Sequence, residues 1–154
     1  MSFSDGTGTA GGCPAVADSK AVPITEAART ALSDGSEHPY SPARAVGGFV
    51  FVSGALSIDE YGTAVEGTLP ALDAAMQRLS ERLATAGATL ADVVRTTYFV
   101  TDIAIRGEAN RHYESTFETP RPARTFVEVS RLPYGASVEI EAIAHVNEHE
   151  RTIR

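Results

Sequence analysis

The stretch "VEIEAIAHV", from Val138 to Val146, alternates so strictly that it reads as a β-strand with two unlike faces. Val138, Ile140, Ala142, Ala144 and Val146 share one face; Glu139, Glu141, Ile143 and His145 share the other. The uniformly apolar face needs a covering layer, so the strand belongs to a sheet packed against something else. The mixed face puts two carboxylates and an imidazole on a rigid support. They are either solvated side chains or part of a site.

The rest of the chain supplies the covering layer. "ARAVGGFVFVSG" gives two short β-rich runs around Gly47-Gly48, a dipeptide suited to a two-residue hairpin turn. Leu69, Leu72, Met76, Leu79 and Leu83 recur at helical spacing up to Gly87, with Thr68 as expected cap and Pro70 in the first turn. "DVVRTTYFVTD" reads as a strand over Val93 to Val100. "DIAIRGEANRHYESTF" reads as a second helix, interrupted or started late at Gly107, with Ala109, Tyr113 and Phe117 on its apolar side. Two further strands, Arg124 to Ser130 and Ser137 to Val146, flank "RLPYGA" and are expected to pair as antiparallel neighbours. This order predicts a two-layer α+β domain: one sheet of five to six strands with both helices on one face.

By parity, Thr125, Val127 and Val129 should face the helices, with Arg124, Phe126, Glu128 and Ser130 on the mixed face beside Glu139. Phe126 and Ile143 give that face an apolar component, which favours a second subunit over solvent, and crevices between subunits are common binding places.

Residues 1–36 read as a mobile N-terminal extension holding one short helix-like piece, Ile24 to Leu32. Its "GTGTAGGCPAVA" lacks the preceding strand and following Gly-Lys-Ser/Thr of a phosphate cradle. No run is apolar enough to span a membrane. The formal net charge of -7, with no clustered Lys and Arg in the sequence, argues against nucleic acid. Cys13 is the only cysteine, which precludes an internal disulfide and suits a cytoplasmic setting. His38, His112, His145 and His149 have no metal-ligand spacing, so no metal is expected.

Arg124 and Glu139 have a plain reading as a weak surface pair or two solvated side chains. They also have a functional one. A guanidinium fork grips a substrate carboxylate through two charge-assisted hydrogen bonds, and a nearby carboxylate manages protons.

At this point three segments in order resemble one family, the Rid (YjgF-type) imine/enamine deaminases: "HPYSPARAVGGFVFVSG", "DVVRTTYFVTD" and "PARTFVEVSRLPYGASVEIEAIAHV". The resemblance runs from about Pro39 to Val146 and marks 37–154 as a Rid-like domain. It implies a chorismate-mutase-like fold in a homotrimer with clefts between subunits. It also implies hydrolysis of 2-imino or 2-enamino acids to 2-oxo acids and ammonia, without metal or organic cofactor. Arg124 matches the carboxylate-clamping arginine, and Glu139 the acid that orients the attacking water. Tyr40, Ser53, Gly54 and Asn110 match binding residues of the cleft, and Glu141 a framework residue.

Phe126 stands where many members carry a small residue, and the connection from Asn110 to Arg124 is short for the family. These differences leave open a specialised-pathway hydrolase or rearrangement enzyme acting on a larger substrate. A non-catalytic trimer that binds a small carboxylate or a protein partner is the third alternative.

Overall fold

The computed structural model describes residues 39–147; the expected extension, its helix Ile24 to Leu32 and Cys13 lie outside them. β1 (Ala43–Val46) and β2 (Phe49–Leu56) form the expected hairpin, and Gly47 and Gly48 turn it with φ of 56° and 80°. That left-handed pair is the reason for two glycines here, since any other residue would be strained at such angles. Helix α1 (Thr68–Thr85) follows, then β3 (Val93–Val100), helix α2 (Arg106–Thr116), β4 (Ala123–Glu128) and β5 (Val138–His145). No helix is long and apolar enough to cross a membrane among the described residues.

Leu72, Met76, Leu79 and Leu83 are buried as the helical period requires, whereas Leu69 is exposed in the first turn. Burying each of these larger side chains is worth roughly 1.5–3 kcal/mol. Pro70 does lie in the first turn of α1, but Thr68 is the first helical residue; the cap is Gly67, which has no side chain to offer. A short 3-10 turn, Ile103–Ile105, precedes α2, so this helix starts at Arg106, just before Gly107. Asp102 opens that turn by accepting from the Ala104 amide at 2.9 Å.

The sheet is mixed, in the order β1-β2-β5-β3-β4. β5 is antiparallel to both neighbours, and β4 is parallel to β3. On the helix side, Val138, Ile140, Ala142 and Ala144 of β5 join the α1 leucines in one core.

Two expectations about β4 fail. It does not pair with β5. Because β3, α2 and β4 form a crossover unit, β4 lies parallel to β3 at the sheet edge, and the turn through Pro133–Gly135 carries the chain past the end of β3. β5 then inserts between β2 and β3. The Val129 amide bonds to the Val100 carbonyl and the Thr101 amide to that of Ser137, closing this passage.

The facing of β4 is also reversed. Tyr98 pairs with Phe126 in the parallel register, and their rings stack at 5.8 Å against the core. Arg124 and Phe126 therefore face the helices, while Thr125 and Val127 lie on the open side. Packing of one large ring outweighed the β-branched residues' tendency to look like a core set.

The open face carries Phe49 and Phe51, 42% and 46% exposed. Phe49 lies 4.8 Å from the His145 ring across the strand pair.

Candidate active site

One group of the expected site residues gathers where β1 stops pairing with β2. The β2–β5 register shifts between Val52 and Ala55, leaving Ser53 and Gly54 in an irregular step. The Ser53 amide donates to the Pro42 carbonyl at 2.9 Å and its hydroxyl to the Ser41 carbonyl at 2.8 Å. These bonds tie the segment that begins with Tyr40, itself 52% exposed, to β2. From α1, Arg82 donates through Nη1 to the carbonyls of Ser53 and Gly54, at 2.9 and 2.7 Å.

The Glu139 side chain, half-buried on β5, lies over Gly54. A methyl on Gly54 would sit only 1.9 Å from Glu139 Oε1, so the absence of a Cβ makes room for the carboxylate. Burial raises the pKa of Glu139 above the ordinary glutamate value; Arg82 opposes this, and Glu141 adds to it. Glu141, on the same face by alternation, is exposed.

The other group gathers around Arg124. Its guanidinium carbon lies 4.8 Å from the Tyr113 ring centre, 5.3 Å from Phe126 and 5.6 Å from Tyr98. Aromatic faces attract a cation in this range and hold the planar group in place. Nη2 donates to Oδ1 of Asn110 on α2. Nη1 is buried and has no hydrogen-bond acceptor among the described residues. Phe126 thus packs against the guanidinium from the core side.

Tyr113 donates its hydroxyl to the Pro122 carbonyl at 3.0 Å and lies 3.3 Å from the Thr96 hydroxyl, which fixes the wall of this group. Burial raises the Tyr113 pKa, while Thr96, Arg124 and Arg121 hold it down. The Tyr98 hydroxyl, buried without a partner among the described residues, is pushed well above its ordinary value by desolvation.

Within one chain the two groups do not meet. Arg124 is level with Thr96, and Glu139 with Phe99, on strands separated by β3. Three residues along and two strand spacings across put their Cα atoms roughly 14 Å apart, with the side chains on opposite faces. The structure thus brings Ser53, Gly54 and Glu139 to one place, with Tyr40 next to the tied residue Ser41, and Asn110, Arg124 and Phe126 to another.

Sequence reasoning missed Arg82, Tyr98 and Tyr113. The tyrosines had the signature of core residues, and only the fold places a cation between them. It also missed a basic cluster, because Arg106, Arg121 and Arg124 line one pocket although they are scattered in the sequence. No group of three or more potential metal ligands gathers among the described residues. His112 instead joins the two helices, with Nε2 3.1 Å from Asp73 Oδ1.

A family model described as Endoribonuclease L-PSP matches residues 30–146. A RutC family protein of Sinorhizobium fredii is 41% identical over 113 residues, covering 71% of this chain and 88% of that protein. A human 2-iminobutanoate/2-iminopropanoate deaminase is 34% identical over 117 residues, covering 75% of this chain and 85% of that one. Among solved structures, RidA from an Antarctic Psychrobacter superposes with a TM-score of 0.68 at 32% identity, covering 72% of this chain and 91% of its own. With its five-stranded mixed sheet, two helices and matched segments, the chain belongs to the Rid (YjgF-type) imine/enamine deaminase family.

Proposed function

We propose that the protein hydrolyses 2-imino or 2-enamino acids to 2-oxo acids and ammonia, at a site completed between subunits of a homotrimer. The observation that carries this reading is Arg124, a guanidinium set among three aromatic rings and bonded to Asn110, with a buried Nη1 that lacks an acceptor among the described residues. An unmet buried donor is costly, and a substrate carboxylate is the acceptor that a guanidinium fork suits best. Relatives named as imine deaminases support the same chemistry.

The separation of the two groups motivates the trimer. Glu139 of one subunit would face Arg124 of the next, with the exposed Phe49 and Phe51 covered in the assembly. The iminium carbon of the substrate is already electrophilic, so positioning and proton management supply the catalysis. Arg124 holds the carboxylate. Glu139, its pKa raised by burial, takes a proton as water attacks the iminium carbon and returns it to the amino nitrogen of the carbinolamine. The C–N bond then breaks, ammonia leaves, and the hydroxyl proton is lost as the carbonyl forms. Ser53, Gly54 and Tyr40 line the Glu139 side.

The family description names RNA cleavage, but the net charge of -7 weighs against a polyanionic substrate. The test is release of 2-oxo acid from 2-aminoacrylate or 2-iminobutyrate generated in situ. Wild-type protein should accelerate release, and Arg124→Ala should abolish the acceleration. Equal release with and without wild-type protein would overturn the reading. Tight binding of a small carboxylate with no turnover, unaffected by Glu139→Ala, would select a non-catalytic binder.

A further inference from the structure

We propose that Arg106 and Arg121 grip a second carboxylate, so that the preferred substrate is a 2-imino or 2-enamino dicarboxylic acid whose first carboxylate Arg124 holds. This rests on the reading of Arg124 as the carboxylate clamp and adds a specificity that the reading does not contain.

A pocket of about 280 Å³ is lined by Arg106, Asn110, Tyr113, Glu114, Arg121 and Arg124. Positions 106, 110, 113 and 114 share one face of α2 at helical spacing, and Arg121 comes from the segment leading into β4. Three guanidiniums and one carboxylate, that of Glu114, leave a local excess of positive charge on a chain whose net charge is -7. None of the three arginines lies within salt-bridge distance of a carboxylate among the described residues. Tyr113 lines the pocket together with Arg121 and Arg124, so the two guanidiniums border the same space.

Such clustering costs repulsion unless an anion relieves it. One carboxylate suits Arg124, and the two exposed arginines remain for another. A space of this size, near the lower end of small-molecule sites, accommodates a short diacid. A phosphate monoester would also carry the charge, but the planar fork of each arginine pairs with a carboxylate equally well, and the pocket is small.

The test is binding of stable 2-oxo acids to the full-length assembled protein by calorimetry, which needs no turnover. 2-Oxoglutarate should bind about tenfold tighter than 2-oxobutyrate, since each exposed arginine pairing contributes a factor of roughly two to five. In Arg106→Gln/Arg121→Gln this ratio should fall below about twofold, and lysine at both positions should restore part of it. Both residues are exposed, and the single variants serve if the double variant is unstable. A ratio near one in the wild type, or a ratio unchanged by the double variant, overturns the proposal. If the ratio behaves as expected but no imine is turned over, the deaminase reading fails and the diacid site stands. If 2-iminobutyrate is hydrolysed and the ratio is near one, the diacid site alone is wrong.

Discussion

Gly54→Ala separates catalysis from stability at one atom's distance. A methyl on residue 54 would lie 1.9 Å from Glu139 Oε1, 2.6 Å from Cδ and 2.9 Å from Cγ. Ordinary contact begins at 3.4 Å, so the carboxylate must retreat by about 1.5 Å or turn away altogether. The backbone at Gly54 is not in the left-handed region, so alanine meets no φ penalty there. It also removes freedom from the unfolded chain, worth about 0.4–1 kcal/mol. Displacing a half-buried, flexible glutamate into a poorer rotamer costs about 0.5–1.5 kcal/mol in the other direction. The two nearly cancel, and the denaturant midpoint should stay within about 1 kcal/mol of wild type. Catalysis should not survive so well, because a 1 Å misplacement of a reacting group costs about 100-fold. Paired measurements of urea unfolding and of kcat/KM on 2-iminobutyrate check this. Activity within about threefold of wild type would refute the assignment of that space to the Glu139 carboxylate.

Other predictions follow from the same contacts. With its folded pKa raised, Glu139 favours the native state most when protonated; that contribution is full below the unfolded glutamate pKa and is lost as pH rises through the folded one. Glu139→Gln should therefore be at least as stable as wild type near pH 7 by thermal melt, yet inactive. The acidic limb of the kcat/KM profile should lie above the ordinary glutamate range, and Glu141→Gln should move it down, since the Glu141 charge helps to raise the pKa. Tyr98→Phe removes a buried hydroxyl with no partner among the described residues, so the melting temperature should hold or rise. Asn110→Ala frees the Arg124 guanidinium from its acceptor, and KM should rise about tenfold with a smaller change in kcat.

Local patterns in the sequence proved reliable where the physics is local. The Gly47-Gly48 hairpin, the α1 leucine stripe and the alternation of β5 each depend on neighbours a few residues away. The partner and facing of β4 do not. They depend on a crossover through α2 and on Tyr98 stacking against Phe126, which couples positions far apart in the chain. Adjacency in sequence suggested that Arg124 and Glu139 meet across the "RLPYGA" turn, but insertion of β5 between β2 and β3 separates them. The aromatic setting of Arg124 was hidden for the same reason, because Tyr98, Tyr113 and Phe126 come from three elements. So was the basic pocket, whose arginines are gathered by the start of α2 and the approach to β4.

If Arg124 and Glu139 of different subunits complete one site, two inactive variants should complement each other. Arg124→Ala and Glu139→Gln proteins, each inactive alone, should be unfolded together, refolded as a mixture and assayed on 2-iminobutyrate. In a cyclic trimer with random mixing, about a quarter of the sites would combine an intact arginine with an intact glutamate, restoring about a quarter of wild-type activity. Activity no higher than that of the separate variants, despite exchange of subunits, would contradict the account.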